Sequence, residues 1–313
     1  MSTFSDLERG RLKGIVFDIK RMAIHDGPGI RTTIFLKGCN MFCKWCHNPE
    51  SITKSPELMF NQAECIACKL CENVCKYGVH CFDAGLHTLH RQNCHLCGAC
   101  ANICPSKALR MCGKEMTVED VMDIVIRDEL FYDNSGGGIT ISGGEPLCQT
   151  HFTGALLQAA KERGINTILD TNGNWDGKEI QGLLPFIDSF RYDVKHMDSL
   201  RHKELTGVSN RVILENLRKL SVAKQKIVVV LPLIRHINDS DENITAMRHF
   251  LKALPSPIRT VNILPYHDFY LSKLDQLGKE CLRFTSPSRT RIKDIKKMFQ
   301  EEGIRVTLPS APV

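Results

Sequence analysis

Eleven of the 15 cysteines in this 313-residue chain stand in three tight groups, and their spacing limits what the chain can fold around. Disulfides seldom persist in a reducing compartment, so clustered cysteines there read as metal ligands. The first group, within "GCNMFCKWCHNPE", is Cys39, Cys43 and Cys46, spaced C-x3-C-x2-C. Tetrahedral zinc and cubane iron–sulfur clusters normally take four protein ligands. The next cysteine, Cys65, is well downstream, so a metal group on this trio keeps one position without a protein ligand.

The other two groups repeat each other. Cys65, Cys68, Cys71 and Cys75 share the spacing C-x2-C-x2-C-x3-C with Cys94, Cys97, Cys100 and Cys104. This is the bacterial ferredoxin run, in which the fourth cysteine of each half serves the other half's cluster. The spacing predicts one [4Fe–4S] cluster on Cys65, Cys68, Cys71 and Cys104. Cys94, Cys97, Cys100 and Cys75 take the other. Zinc modules carry separated C-x2-C pairs instead. One departure is Lys76, which stands where proline would follow Cys75. Cys81, Cys112, Cys148 and Cys281 are scattered and read as plain buried thiols.

Cysteine density divides the chain. Residues 58–112 form a cysteine-rich insertion with few apolar runs, which a metal framework can hold together. Residues 1–57 and 113–313 form the main domain. There strand and helix patterns alternate: strands "GGITIS", "INTILD", "IDSFRYDVK", "KIVVVLPLI", "RTVNILPY" and "IRVTL", with helices at 151–163, 211–223, 240–254 and 287–302. Repeated βα units with apolar strands predict a parallel sheet with helices outside. About six such units are two short of the closed eightfold barrel.

The remaining composition is ordinary. Hydrophobic residues make up 42% and charged residues 24%, as in a globular protein with a sizeable core. A formal charge of +6 reads as a solvated basic surface, and no nucleic-acid partner is expected. No apolar run spans a membrane and the first residues lack a signal-peptide pattern, so a cytoplasmic protein without a membrane partner is expected.

Ligands in parallel α/β folds bind at the carboxyl ends of strands, and four strands here end in polar residues. Gly143, Gly144 and Glu145 follow the first, the glycines allowing close backbone approach. Asp170-Thr171-Asn172-Gly173 ends the next, a pattern that also suits an Asx turn. Asp193 and Lys195 end a third, on one face by the period-two rule. His267 follows "VNILPY". Together they suit a ligand with an amine, a carboxylate and hydroxyls; a cluster held by the trio alone leaves one iron free, which an amino acid can chelate through its amine and carboxylate.

The trio with Trp45 resembles the signature of the radical S-adenosylmethionine (SAM) superfamily. "IHDGPGIRTTIFLKGCNMFCKWCHNPE", "GGGITISGGEP", "DTNG" and "DVKHMD" are similar to one branch of it, the glycyl radical enzyme activating enzymes. The insertion resembles that of the branch's larger members, and the likeness covers nearly the whole chain. It implies an incomplete (β/α)6 barrel of the radical SAM type with an inserted bacterial-ferredoxin-like domain. It implies three [4Fe–4S] clusters, one of them binding SAM on Cys39, Cys43 and Cys46 and two auxiliary. Reductive cleavage of SAM gives methionine and a 5′-deoxyadenosyl species, which takes a hydrogen from a glycine of the partner enzyme. Flavodoxin or ferredoxin would donate the electron, and the chain would act as a monomer.

The resemblance also implies roles. Trp45 would lie near the adenine. Gly143, Gly144 and Glu145 would bind the methionine amine. Asp170, Thr171, Asp193 and the Val194 carbonyl would form a monovalent-cation site by the SAM carboxylate. Lys195 and His267 would contact SAM, and His25, Asp26 and Gly27 would line the substrate mouth. Two departures stand out. Val230 occupies a position where relatives often carry arginine, so that an arginine contact to SAM or the target backbone is either missing or supplied by Arg235; Tyr270 and Leu274 replace a glycine and an aromatic. Two other functions compete: a radical SAM enzyme acting on a peptide or small molecule, and an electron carrier built on the ferredoxin repeat.

Overall fold

The computed structural model describes residues 9–280 and 282–309. A nine-stranded sheet organises the main domain. Seven of its strands run parallel: β2 (Arg31–Leu36), β8 (Gly138–Gly143), β9 (Asn166–Thr171), β10 (Ser189–Asp193), β11 (Ile227–Leu233), β12 (Thr260–Pro265) and β13 (Arg305–Thr307). They lie side by side in that order. Beyond β2 come β1 (Lys13–Ala23) and β7 (Lys114–Thr117), each antiparallel to its neighbour. β13 and β7 are the two edges, so the sheet is open.

Each strand expected from the sequence lies within two or three residues of its predicted bounds. The four helices are Thr150–Glu162, Arg211–Val222, Asp241–Lys252 and Arg289–Glu301. Five shorter helices, Val118–Val125, Glu129–Ser135, Gly177–Gln181, Ser199–Thr206 and Tyr270–Leu277, complete the crossovers. The strands β1, β2 and β7 were not expected. Much of β1 is polar and exposed, so it lacks the apolar run of a central strand.

Period-two alternation decides what the sheet offers on each face. Leu169, Phe190, Tyr192, Val229 and Leu231 join the main core. Asp170, Arg191, Asp193 and Val230 alternate with them and line a cavity on the other face.

Residues 57–112 fold as a small two-part unit. β3 (Glu57–Phe60) pairs with β6 (Leu109–Cys112), and β4 (His80–Asp83) with β5 (Leu86–Leu89). The sequence repeat returns as a backbone repeat. Helices Leu70–Val74 and Ala99–Ile103 follow left-handed residues at matching places, Lys69 (φ 63°) and Gly98 (φ 76°). The core is small: Leu58, Phe60, Ala101, Ala108 and Leu109, packed with Cys71, Cys100 and Cys104. Of the scattered cysteines, Cys112 is buried, whereas Cys81 and Cys148 are half-buried; Cys281 lies outside the described residues.

Candidate active site

The loop after β2 carries Cys39, Cys43 and Cys46, and backbone bonds hold it from two sides. Gly38 N–H donates to the Ser51 carbonyl at 2.6 Å and Cys39 N–H to Ile52 at 3.0 Å. Phe42 and Lys44 N–H groups donate to Thr206 and Leu205. The three thiols line one cavity of about 200 Å³ with the ends of β8 to β11. Burial pushes each thiol up to about 12. Three half-buried sulfurs lining one cavity fit a soft metal cluster, which needs thiolates and supplies the positive charge that stabilises them.

Two carboxylates and two cations form the wall. Lys195 Nζ donates to Asp193. Burial pulls the Lys195 ammonium down, but the charges of Asp193 and Cys43 more than offset it and hold it above its ordinary value. Asp170 accepts from Ser142 Oγ at 3.0 Å, and burial raises its carboxyl despite Arg191 nearby. Arg191 is buried, and its Nε, 3.6 Å from Asp170 Oδ2, has no hydrogen-bond partner. Arg191 was not predicted. It shares a face with Asp193 and Lys195, so the period-two rule already applied to that pair points to it. Val230 pairs in register with Asp193 on the next strand. Arg235, one of the two alternatives for the arginine contact there, is exposed and does not line the cavity.

Gly143 and Gly144 line the cavity, yet neighbouring backbone already requires them. A Cβ at Gly143 (φ +123°) would meet Leu36 N at 2.3 Å, and one at Gly144 would meet the Gly38 carbonyl oxygen at 2.3 Å. Glu145, expected at the ligand amine, is fully buried and is not among the cavity's lining residues. Its Oε2 accepts from Asn172 N–H at 2.8 Å, Oε1 from Leu147 N–H at 3.2 Å, and Thr171 Oγ1 lies 2.9 Å from both. Burial raises its carboxyl to about 7 against these bonds. Glu145 thus ties the β8 turn to the β9 turn. Asn172, also not predicted as a site residue, extends the tie: its Nδ2 lies 3.0 Å from Asn40 Oδ1 and 3.7 Å from Cys39 Sγ.

Trp45 is buried at the cavity, edge-on to Phe284 and clustered with Tyr266 and Tyr270. Tyr270 is itself buried, its hydroxyl donating to the Leu282 carbonyl at 2.9 Å, and Leu274 packs on this cluster. His267 is exposed and does not line the cavity. It stacks at 4.1 Å on His47, which does. His25, Asp26 and Gly27 also stand outside the lining set. Asp26 accepts from Thr33 Oγ1 at 2.8 Å, and a Cβ at Gly27 would meet Ile168 Cδ1 at 2.4 Å. The fully buried Arg31 shapes this approach by donating to Pro28, Ile139, Thr140 and Asn166.

In the insertion, Cys65, Cys68, Cys71 and Cys104 line one small cavity. Cys75, Cys94, Cys97 and Cys100 line another. Each set of four thus draws one cysteine from the other half of the repeat. His87 borders the first cavity and His80 the second.

The model of the radical SAM superfamily matches residues 33–247. The chain is 41% identical over 271 residues to the (2S)-3-sulfopropanediol dehydratase activating enzyme of Klebsiella oxytoca, covering 85% of this chain and 86% of that one. It is 36% identical over 311 residues to the indoleacetate decarboxylase activating enzyme of Tractidigestivibacter scatoligenes, covering 95% and 98%. A radical SAM methyltransferase from Sphaerobacter thermophilus, 17% identical, shares the fold with a TM-score of 0.51, covering 89% of this chain and 66% of that one. The chain therefore belongs to the radical SAM superfamily, whose members use a [4Fe–4S] cluster and SAM, and within it to the activating enzymes of glycyl radical enzymes.

Proposed function

We propose that the strand-end cavity holds SAM against a [4Fe–4S] cluster on Cys39, Cys43 and Cys46, and that the chain uses it to take a hydrogen from a glycine of its partner enzyme. One observation carries this reading: three half-buried thiols and four charged side chains of both signs line a single cavity. When bound, the cluster supplies the electron that cleaves SAM to methionine and the 5′-deoxyadenosyl species that takes the hydrogen. The chain's own residues do the positioning. Arg191 and Lys195 offer the cations for the SAM carboxylate, and Arg191 has an unpartnered Nε free to turn to it. Asp170, Thr171, Asp193 and the Val194 carbonyl form a candidate monovalent-cation site, since a cation there relieves two neighbouring carboxylates. Gly143 and Gly144 offer backbone to the amine, and Glu145 fixes their turn. Trp45 and its aromatic neighbours give the adenine an apolar, water-poor wall. His267 acts through His47, and His25, Asp26 and Gly27 face the incoming peptide.

The same reading makes residues 58–112 a ferredoxin-like insertion with two auxiliary [4Fe–4S] clusters, inserted in an incomplete barrel formed by 1–57 and 113–313. The two four-cysteine cavities support it. A flavodoxin or ferredoxin is the proposed electron donor and a monomer the proposed state. The relatives' names cover a dehydratase and a decarboxylase, so the test spans partners of those classes. Reconstituted protein, reductant, SAM and each candidate partner are mixed without oxygen, and EPR is recorded. A glycyl-radical doublet on the partner is expected, with one 5′-deoxyadenosine formed per radical. Its absence with every partner encoded beside this gene overturns the proposal.

A further inference from the structure

Two histidines in the insertion have no part in that account. His80 lies on β4 and His87 on β5, and both are buried. His87 Nδ1 stands 3.3 Å from Cys65 Sγ, its Nε2 stands 3.0 Å from His80 Nδ1, and Cys71 Sγ lies 3.9 Å from Nε2. The ring is held in place: Phe82 stacks on it at 4.2 Å and Phe60 packs at 4.5 Å. A cluster-bound sulfur only accepts, so Nδ1 of His87 carries the proton. Nε2 then accepts from the Nδ1–H of His80. The outer Nε2 of His80 is buried without a hydrogen-bond partner, as suits a ring whose single proton sits on Nδ1. The result is one polarised chain, His80 to His87 to Cys65, in which each bond strengthens the next.

The two cysteine sets are therefore unlike. The Cys65 set also meets the Ser106 hydroxyl, 3.7 Å from Cys104 Sγ. Among the described residues, no side-chain hydrogen bond to Cys75, Cys94, Cys97 or Cys100 is present. Hydrogen bonds to cluster sulfurs stabilise the reduced, more negative state and raise the potential.

We propose that the His80–His87 pair makes the Cys65, Cys68, Cys71, Cys104 cluster the higher-potential member of the auxiliary pair, so that an electron entering the insertion comes to rest there. His87 is a positioning and tuning residue: it touches a ligand sulfur rather than a substrate. The proposal rests on the two-cluster reading of the insertion, and its test separates the two.

The full chain carrying Cys39→Ala, Cys43→Ala and Cys46→Ala reports the auxiliary clusters alone. Iron and sulfide are counted first, and midpoints are then read by EPR-monitored redox titration. Two clusters' worth of iron and two distinct midpoints are expected. Less iron overturns the cluster reading, and the proposal with it. On that background His87→Phe keeps the aromatic packing and removes the N–H donor. At the original upper midpoint, the ratio of reduced to oxidised cluster should fall about tenfold, or about 59 mV for a one-electron couple, with the lower midpoint unmoved. His87→Asn keeps a donor near the Nδ1 position and should stay within about twofold of the parent. Full iron with an unmoved upper midpoint in His87→Phe overturns the histidine proposal alone. Should His87→Phe lose iron, His80→Phe decides: it leaves the contact with Cys65 in place and removes the donor behind it. A smaller fall of the same midpoint supports the proposal, and no movement overturns it.

Discussion

Replacing Glu145 by glutamine should make the pH dependence of one local opening disappear. The carboxyl is fully buried and lifted from 4.5 to about 7, burial being the largest cause. A folded-state value above the unfolded one means that the native state holds its proton longer. The stabilising contribution is therefore complete below the unfolded value and is lost as pH rises through the folded value. The full shift is about 2.5 units, or about 3.4 kcal/mol at about 1.36 kcal/mol per unit. Between pH 5.5 and 8.5 about 1.5 of those units are traversed, or about 2 kcal/mol, about thirtyfold in an opening equilibrium. Glutamine has no proton to lose, so its variant should be flat across the window. It has a separate constant cost. It offers one acceptor oxygen where Leu147 and Asn172 N–H groups face two, and one unsatisfied buried donor costs about 1–3 kcal/mol. The two proteins should therefore differ most at low pH and converge or cross at high pH. Hydrogen exchange of a peptide spanning 166–175, corrected for intrinsic rates, reads Asn172 protection in the holoprotein. Wild-type protection should fall about thirtyfold from pH 5.5 to 8.5 while the Gln variant stays within about threefold. Parallel pH profiles would show that Glu145 titrates normally and refute the reasoning.

Other expectations concern the cavity wall and its support. Arg191→Leu should weaken SAM binding about 10- to 100-fold, the worth of a charge-assisted hydrogen bond, measured by the SAM-induced change in the reduced-cluster EPR spectrum. Arg235→Ala, on the exterior, should leave that affinity within about twofold. Gly144→Ala forces a Cβ to within 2.3 Å of the Gly38 carbonyl oxygen; the trio should lose its iron while the insertion keeps its own, as iron counting and EPR will tell. Asn172→Ala removes the amide aimed at Cys39 Sγ and should shift the reduced fraction of the trio's cluster downward by up to about tenfold at its original midpoint.

How far the sequence discloses the site depends on where each signal is kept. Cysteine spacing is a local record, so the trio and the crossed sets of four were readable before any coordinates. The strand ends were readable because charged residues interrupt apolar runs, as Asp193 and Lys195 do. Arg191 carries the same signal one step earlier on the same face, and only the folding of β10 shows that this face lines the cavity. Glu145 shows the opposite limit. A carboxylate after two glycines is visible in sequence, but its direction is set by the Asn172 amide, 27 residues away. The glycines likewise answer to the backbone of Leu36 and Gly38, which no local pattern records. His80 and His87 are single histidines in a short hairpin, unremarkable until folding places one beside each cysteine set. β1 and β7 escaped because exposed antiparallel strands lack the apolar run that marks the central strands.

Under the proposed function, the charges around the trio favour SAM over a fourth cysteine at its open position. Asp170 and Asp193 are balanced by Arg191 and Lys195, so the wall contributes no net charge at neutral pH. An oxidised [4Fe–4S] core with three thiolates is one charge negative. SAM that chelates the open iron through a deprotonated amine and its carboxylate keeps one sulfonium and one carboxylate charge and is neutral overall, so the monovalent cation proposed at Asp170 and Asp193 is what brings the filled site to neutrality. A fourth thiolate would leave buried negative charge uncompensated, at a cost of several kcal/mol. Lys195→Met tests this balance. It leaves the filled site one charge negative, so SAM affinity and the reduced fraction of the cluster at its original midpoint should fall together, each by about tenfold for a lost charged partner of about 1.5 kcal/mol. A drop in affinity with the midpoint unmoved would show that Lys195 acts only as a local contact, and the neutrality argument would fail. The converse result, a lowered midpoint in SAM-free protein, would place the effect in the field across the cavity, where Lys195 already responds to Cys43.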